Sequence, residues 1–135
     1  MKKNMRLENN RENKLSLIPK TEKYVEYMLN VIMKLPRTEK FNIGNEYKIS
    51  MYKTIEMVMS LNKISQKSEK ELKFEITNIL NKIDSYLNVQ RIYLRIMKKN
   101  KWIDEKKFKV AMGEIYEIGK ILGGLIKYYA KNNKE

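Results

Sequence analysis

The chain has 135 residues, enough for one compact domain with a single hydrophobic core. It has no cysteine and no histidine, which excludes disulfides, thiolate or imidazole metal ligands and the commonest acid–base group at neutral pH. Its 29 lysines and arginines outnumber 16 aspartates and glutamates, and the net charge of +13 favours polyanions as partners, nucleic acid first and an anionic membrane surface second.

The first 18 residues are mostly polar and carry five basic residues against two acidic ones, with no apolar period. Such a composition is typical of a frayed or mobile terminus, so residues 1–18 are predicted to be a basic, mobile arm and residues 19–132 the folded domain. No apolar run is long enough for a signal peptide or for a membrane span, which requires about 20 apolar residues. We therefore expect a cytoplasmic protein without a membrane partner.

The first helix is predicted over about residues 21–35. Pro19 and Thr21 are typical of a helix start, and an apolar face recurs at helical spacing after them. Pro36 ends this helix, because a proline lacks the backbone N–H that the helix needs.

A second helix is predicted over about residues 44–64. Its inward face is formed by apolar residues at helical spacing: Tyr47, Met51, Ile55, Val58, Leu61 and Ile64. In the connection that precedes it, Phe41 and Ile43 are large apolar residues and are expected to fold onto the domain.

The third helix begins at a capping box formed by Ser68 and Glu71, whose side chains each accept from a backbone N–H at the other's position. A long apolar face then extends from Leu72 to Met97. Gln90 lies within this face, where a buried amide must find hydrogen-bond partners and can determine the register of the helices.

The fourth helix is predicted from Trp102 to Tyr129. Asp104 is placed to accept from free backbone N–H groups of the first turn, while Ile103 packs on Phe108. Four amphipathic helices with short connections, and no strand with period-two alternation, predict an all-α fold, an antiparallel up-down-up-down four-helix bundle.

A basic segment joins the third and fourth helices and is the candidate nucleic-acid interface. Arginine and lysine bind phosphate, and the nearby Tyr93 and Trp102 could stack on a base. The alternative is a solvated helix end whose aromatic residues belong to the core. The candidate nucleic-acid-binding residues, including two from the proline–arginine turn, are Arg91, Arg95, Lys98, Lys99, Lys101, Arg37 and Lys40.

Two features indicate contacts with another protein chain. Val89, Ile92 and Ile96 form a second apolar face on the third helix, which favours oligomerisation because no helix of a four-helix bundle is central. Three glycines interrupt the last helix at a cost of about 1 kcal/mol each, and are expected to mark the close approach of another backbone or a bulky side chain. The candidate oligomer or partner contacts are Val89, Ile92, Ile96, Gly119, Gly123 and Gly124.

Catalysis is disfavoured by the residue types present. Glu114 and Glu117 stand at i, i+3, but Lys120 and Lys127 are close in sequence, and surface salt bridges explain this pair better than acid–base chemistry. The chain also lacks a glycine-rich phosphate loop of the P-loop type. We predict a protein that is not an enzyme, with no catalytic residue, no metal site and no cofactor.

Several segments together resemble one known family. In chain order they are Leu35-Pro36-Arg37, Glu39-Lys40-Phe41 with Gly44, Gln90-Arg91, Leu94-Arg95, Trp102-Ile103 and Glu117-Ile118-Gly119-Lys120-Ile121-Leu122-Gly123-Gly124-Leu125. Over about residues 20–130 the chain resembles the accessory variability determinant (Avd) proteins of diversity-generating retroelements. These belong to a wider four-helix-bundle group that includes proteins encoded in intervening sequences of 23S ribosomal RNA genes. The chain departs from the family at Leu125, where the family often has tryptophan.

The resemblance implies a basic, non-enzymatic protein that assembles as a ring-like pentamer and associates with a retroelement reverse transcriptase and with RNA or cDNA. Such a protein supports the mutagenic copying of a template RNA into cDNA. Arg91 and Arg95 fall where the family carries arginines, so the resemblance extends the binding role to them. The alternative is a structural four-helix-bundle interaction protein of the ribosomal-intervening-sequence type, whose lysines serve solubility and which has no nucleic-acid role.

Overall fold

A computed structural model describes the backbone of residues 2–64 and 69–132 and the side chains of residues 16–61, 63, 64 and 70–130. Within these ranges the chain forms five helices: α1 (Lys2–Met33), α2 (Arg37–Phe41), α3 (Ile43–Lys63), α4 (Glu69–Lys99) and α5 (Glu105–Asn132). The four long helices pack in a closed cycle, α1 on α3, α3 on α4, α4 on α5 and α5 on α1. Because short connections join successive helices, neighbours run antiparallel. The predicted all-α, up-down-up-down four-helix bundle is confirmed.

Helix α1 begins at Lys2 and not near residue 21, so the predicted start of the first helix is wrong. Pro19, interpreted as a start signal, lies inside the helix. A proline has a helical φ and removes only one backbone hydrogen bond, so a helix supported by packing can continue through it. Leu17 supplies such packing, because its side chain is fully buried in the core. The mobility of residues 1–18 stays a prediction.

The connection between α1 and α3 only partly folds onto the bundle. Ile43 is half-buried against the core, as expected, and Gly44 is buried beneath it. Phe41 is 62% exposed, so the prediction that it packs on the bundle is wrong. Helix α2 has five residues and none of them is buried, which leaves Phe41 at its end directed into solvent.

The core lies along the inward faces of the four long helices, and the apolar stripes predicted for the last two helices account for much of it. Its members on α4 and α5 are Ile76, Leu80, Ile83, Leu87, Leu94, Met97, Ala111, Ile115, Ile118, Leu122, Leu125 and Tyr129. Ser68 of the predicted capping box lies outside the described residues.

The start of α5 agrees with the prediction at its cap. The backbone N–H of Lys107 donates to Asp104 Oδ1 over 2.8 Å, so Asp104 is the N-cap residue. Ile103 is buried and Phe108 packs against the core, while Trp102 is half-buried in the preceding turn. Helix α5 therefore begins three residues later than Trp102, because Ile103 and the cap residue Asp104 precede the helix proper.

Candidate nucleic-acid interface

The antiparallel order of the helices brings two connections to one end of the bundle. The connection from α1 to α3 and the connection from α4 to α5 both lie there, because each follows a helix that runs toward this end. Arg37 and Lys40 therefore lie at the same end of the bundle as the candidate lysines near residue 100. We call this group the basic end; its members are Arg37, Lys40, Lys98, Lys99 and Lys101.

The turn from α4 to α5 has a defined backbone conformation. Trp102 N–H donates to the Met97 carbonyl over 2.9 Å and Lys101 N–H donates to the Lys98 carbonyl over 3.0 Å, the two bonds of a Schellman motif. Lys101 occupies the position of this motif where glycine is usual, with φ of 61°. A left-handed conformation costs a residue with a Cβ about 1–2 kcal/mol. The chain thus holds an exposed lysine in a strained position at the basic end.

The members of the basic end are not equally available to a phosphate. Lys98 Nζ lies 3.0 Å from a carboxylate oxygen of Glu105 and 4.4 Å from the centre of the Phe108 ring. Its charge is partly neutralised, so it attracts an anion less than a free lysine does. Arg37, Lys99 and Lys101 are exposed, and they are the stronger candidates for phosphate contacts.

Arg91, Arg95 and Lys98 stand at i, i+4 and i+7 and form a basic ridge along one edge of α4, but the two arginines have different surroundings. Arg91 is half-buried where α4 meets α5, and its Nη1 donates to Asn88 Oδ1 over 2.5 Å. Its Nη2 lies 3.1 Å from the position a Cβ would take at Gly119 of α5. Arg95 is exposed, one turn further along α4. The ridge therefore contains one anchored and one free guanidinium.

The three glycines of α5 differ in what surrounds them. Gly119 leaves room for the Arg91 guanidinium of its own chain, while its predicted contact with another chain stays a prediction. At Gly123 and Gly124, no atom of the described chain lies within 4 Å of an added Cβ, beyond the helix's own nearby backbone. Among the described residues of one chain, no other backbone approaches either of them closely. Their role in contact with another chain stays a prediction.

The second apolar face on α4 is present in the structure. Val89, Ile92 and Ile96 are 38%, 51% and 39% exposed, respectively. Each therefore leaves apolar surface in water, and their role in contact with a partner chain stays a prediction.

Gln90 has the hydrogen-bond partners that its burial requires, and one of them, Tyr24, bonds a second buried tyrosine, Tyr47. The Tyr24 hydroxyl donates to Gln90 Oε1 over 2.6 Å, and because its hydrogen is used there, it accepts from the Tyr47 hydroxyl. All three side chains are fully buried. Burial is the largest cause that raises the pKa of Tyr24, and it also raises the pKa of Tyr47. Both hydroxyls therefore remain protonated donors. Sequence reasoning placed Tyr47 on the inward face of its helix but identified neither tyrosine as a member of this network, although a core tyrosine hydroxyl requires a partner.

The amide nitrogen of Gln90 completes the network. Nε2 donates to Ser50 Oγ over 2.9 Å and to Thr54 Oγ1 over 3.0 Å. Ser50 in turn donates to the Tyr86 carbonyl and Thr54 to the Ser50 carbonyl. Because both hydroxyls already donate elsewhere, they can only accept from Gln90, which determines the amide orientation. The network connects α1, α3 and α4 in one register.

Glu114 and Glu117 do not form the surface lattice with Lys120 and Lys127 that the sequence predicted. Glu117 lies 3.5 Å from Lys20 Nζ of α1. Glu114 is half-buried, and its Oε2 has no hydrogen-bond partner among the side chains and backbone that the structure describes. Burial raises the pKa of its carboxyl, and nearby Lys23 opposes that shift. The prediction failed because Glu114 lies on the edge of α5 that faces α1. In the described ranges, no three acidic side chains are grouped as metal ligands.

No helix in the part of the chain that the structure describes is both long enough and apolar enough to cross a membrane.

Comparison with known proteins adds one positive finding. A family model described as bAvd-like matches residues 15–129. The matched range contains the core of all four long helices and every residue of the basic end. No curated protein matches the chain.

Proposed function

This chain belongs to the bAvd-like family, and we propose that it oligomerises, binds nucleic acid electrostatically and associates with a retroelement reverse transcriptase to support mutagenic cDNA synthesis. The family match confirms the resemblance to the Avd proteins and identifies the chain as an Avd-type accessory protein of diversity-generating retroelements. Proteins of this family are generally non-catalytic. The proposed partners are the reverse transcriptase, RNA or cDNA, and further copies of the chain, as a cytoplasmic pentamer by resemblance.

The observation that carries the nucleic-acid part is the basic end. Two connections that are distant in sequence bring exposed cations to the same end of the bundle, among them Arg37, Lys99 and Lys101. A phosphate backbone that contacts several such cations releases its condensed counterions, which supplies affinity without base recognition. Lys101 supports this proposal further, because a strained residue with a long cationic side chain occupies a glycine position.

Arg91 has a different role in the proposal. Asn88 and the open space at Gly119 fix the direction of its guanidinium, so less side-chain entropy is lost when a phosphate binds. Lys98 contributes less because Glu105 already pairs with it. Lys40 is half-buried near Arg37 in α2, and we place it at the margin of the same site.

The protein-binding part rests on surfaces other than the basic end. The apolar face of Val89, Ile92 and Ile96 is exposed on α4, and Gly123 and Gly124 leave open space along α5. Because glycine has no side chain, another backbone can approach α5 closely at these two positions. We therefore propose α5 as the docking surface for the polymerase.

The nucleic-acid proposal is tested by measuring RNA affinity as a function of salt for two variants that lose the same charge. One variant changes Arg37, Lys99 and Lys101 to glutamine, and its control changes the exposed Lys53, Lys82 and Lys127 to glutamine. For single-stranded RNA, three lost phosphate contacts lower the slope of log affinity against log salt by about 2. We expect that decrease in the first variant and an almost unchanged slope in the control.

Equal decreases in the two variants would show that net charge alone attracts RNA and that the basic end is not a site. Absence of salt-dependent binding in the unmodified protein would favour the alternative of a structural interaction protein. The exposed apolar face on α4 is the observation that supports this alternative. Its test is a pulldown in which the protein partner is still captured after nuclease treatment.

A further inference from the structure

An apolar groove between α1 and α3 is a feature that the proposed function does not use. Its volume is about 220 Å³, and its apolar walls include Ile18, Val25, Ile55 and Met59. Thr21 also lines it, is 2% exposed, and has an Oγ1 without a hydrogen-bond partner among the described residues. Leaving a buried hydroxyl unpaired costs about 1–3 kcal/mol. Among the described residues, nothing therefore covers the apolar walls of the groove or bonds the Thr21 hydroxyl.

The rim of the groove is acidic although the chain is strongly basic. Glu22 and Glu26 line the groove, are exposed, and stand one turn apart on α1, where like charges repel. Among the described side chains, neither forms an ion pair. An apolar groove with two unpaired carboxylates at its rim fits an apolar helix face that carries a cation.

The chain itself presents such a face on α4. Ile92, Arg95 and Ile96 stand at i, i+3 and i+4, so one exposed side of the helix offers apolar surface beside a guanidinium. Arginine suits this position because its planar fork matches carboxylate geometry. The charges of the two surfaces are opposite, and both surfaces are partly apolar.

We propose that the α1–α3 groove of one copy binds the α4 face of the next copy, with Ile92 and Ile96 against the groove and Arg95 at Glu22 and Glu26. Helices α1 and α4 lie diagonally across the bundle, so one copy can use both surfaces at once. A contact between two different surfaces is heterologous, and it generates a ring when the rotation closes. The proposal rests on the oligomerisation part of the proposed function, and assigns Arg95 to the contact between copies instead of nucleic acid.

The test uses sedimentation velocity to measure the mass of the assemblies that the full chain forms without nucleic acid, over a range of protein concentrations. One variant carries Glu22→Lys and Glu26→Lys, a second carries Arg95→Glu, and a third combines all three changes. We expect each reversal to weaken assembly at least tenfold and the combined variant to recover it, because the charges are exchanged and remain opposite. Circular dichroism checks that the variants remain helical.

Two matched controls accompany these variants. Glu46→Lys with Glu56→Lys makes the same charge change on exposed positions of α3 outside the groove, and should leave assembly unchanged. Ile92→Asn should weaken assembly, whereas Phe74→Asn should not, because Phe74 is 68% exposed on the same helix but distant from Arg95.

The outcomes separate this inference from the proposed function. If the unmodified chain assembles but the reversals leave its mass unchanged, the groove contact is wrong while oligomerisation stands. Failure of the combined variant to recover assembly would equally refute the pairing of Arg95 with Glu22 and Glu26. Loss of reverse transcriptase binding without loss of mass would identify the polymerase as the occupant, and a monomer at every concentration would refute oligomerisation itself.

Discussion

Gly123→Ala should stabilise the chain, because this glycine is costly and nothing in the chain requires it. It lies inside α5, and an added Cβ meets no atom of the described chain within 4 Å, leaving out the helix's own nearby backbone. Replacing glycine by alanine in a helix interior gains about 1 kcal/mol, since alanine loses less backbone entropy on folding. For a domain of this size, that gain raises the melting temperature by roughly 4 °C.

Gly44→Ala is the matched control and should have the opposite sign. Its Cβ would lie 3.0 Å from Ile32 Cγ2 and 3.3 Å from the carbonyl oxygen of Glu39. The carbonyl belongs to the backbone of α2 and cannot move without moving that helix. Overpacking of this kind costs about 1–3 kcal/mol and exceeds the gain in helix propensity. We therefore expect a net loss of stability.

Urea denaturation followed by far-ultraviolet circular dichroism measures both changes at one fixed protein concentration. A loss of stability in Gly123→Ala would refute the open space described along α5. A gain in the free energy of unfolding for Gly44→Ala would show that the connection between α1 and α3 can shift to accommodate the added methyl group at little cost. If the polymerase docks on α5 as proposed, Gly123→Ala also binds it more weakly while being the more stable protein.

Four further predictions concern the buried network, the turn between α4 and α5, and Glu114. Gln90→Leu leaves the Tyr24 hydroxyl without its acceptor, so urea denaturation should show a loss of roughly 1–3 kcal/mol. Lys101→Gly relieves the left-handed strain and should raise the free energy of unfolding by about 1 kcal/mol, while titration shows weaker RNA binding. Asp104→Ala removes the α5 cap and should cost about 1 kcal/mol in the same assay. Burial raises the pKa of Glu114, so the folded chain keeps this proton at a pH where the unfolded chain, with its usual value of 4.5, has lost it. The free energy of unfolding therefore falls as the pH rises from 4.5 through the folded pKa of Glu114. The Glu114→Gln variant should not show that fall. We expect it to melt at a higher temperature than the unmodified chain at neutral pH, but not at pH 4.

Sequence periodicity predicted the bundle well wherever burial alone decides the structure. The apolar residues from Leu72 to Met97 recur with a 3.6-residue period over a long stretch, which is typical of a helix and not of a strand. Most of them are buried in the structure. Gln90 was predictable for the same reason. A polar residue at a stripe position enters the core, and a buried amide must be paired.

Predictions failed where the outcome depended on tertiary contacts. Pro19 is a local signal for a helix start, but Leu17 is buried beyond it and α1 continues through both residues. Phe41 is apolar, yet its helix is too short to turn that side chain inward. Glu114 has lysines close in sequence, but the edge of α5 on which it lies meets α1, and sequence spacing contains no information about that neighbour.

The candidate site was predictable as a set of residue types but not as an arrangement. Lys99 and Lys101 follow from a basic run, whereas their position at the same end of the bundle as Arg37 depends on the antiparallel order of the helices. The anchoring of Arg91 could not be predicted, because Gly119 is on a different helix. A glycine that appeared to serve another chain thus serves, within this one, to position an arginine.

Charge links the two proposals made for this chain. Each copy carries +13, so assembly brings like charges together and the repulsion grows with the number of copies. Pairing Arg95 with Glu22 and Glu26 removes part of that repulsion, while the exposed lysines of the basic end remain unneutralised. A polyanion that crosses several basic ends removes more of it, and therefore binds the assembled form better than the single copy. By linkage, the two proposals together require that assembly strengthen nucleic-acid binding by the same factor by which nucleic acid strengthens assembly, whereas the apolar contact proposed for Ile92 would not be screened by salt.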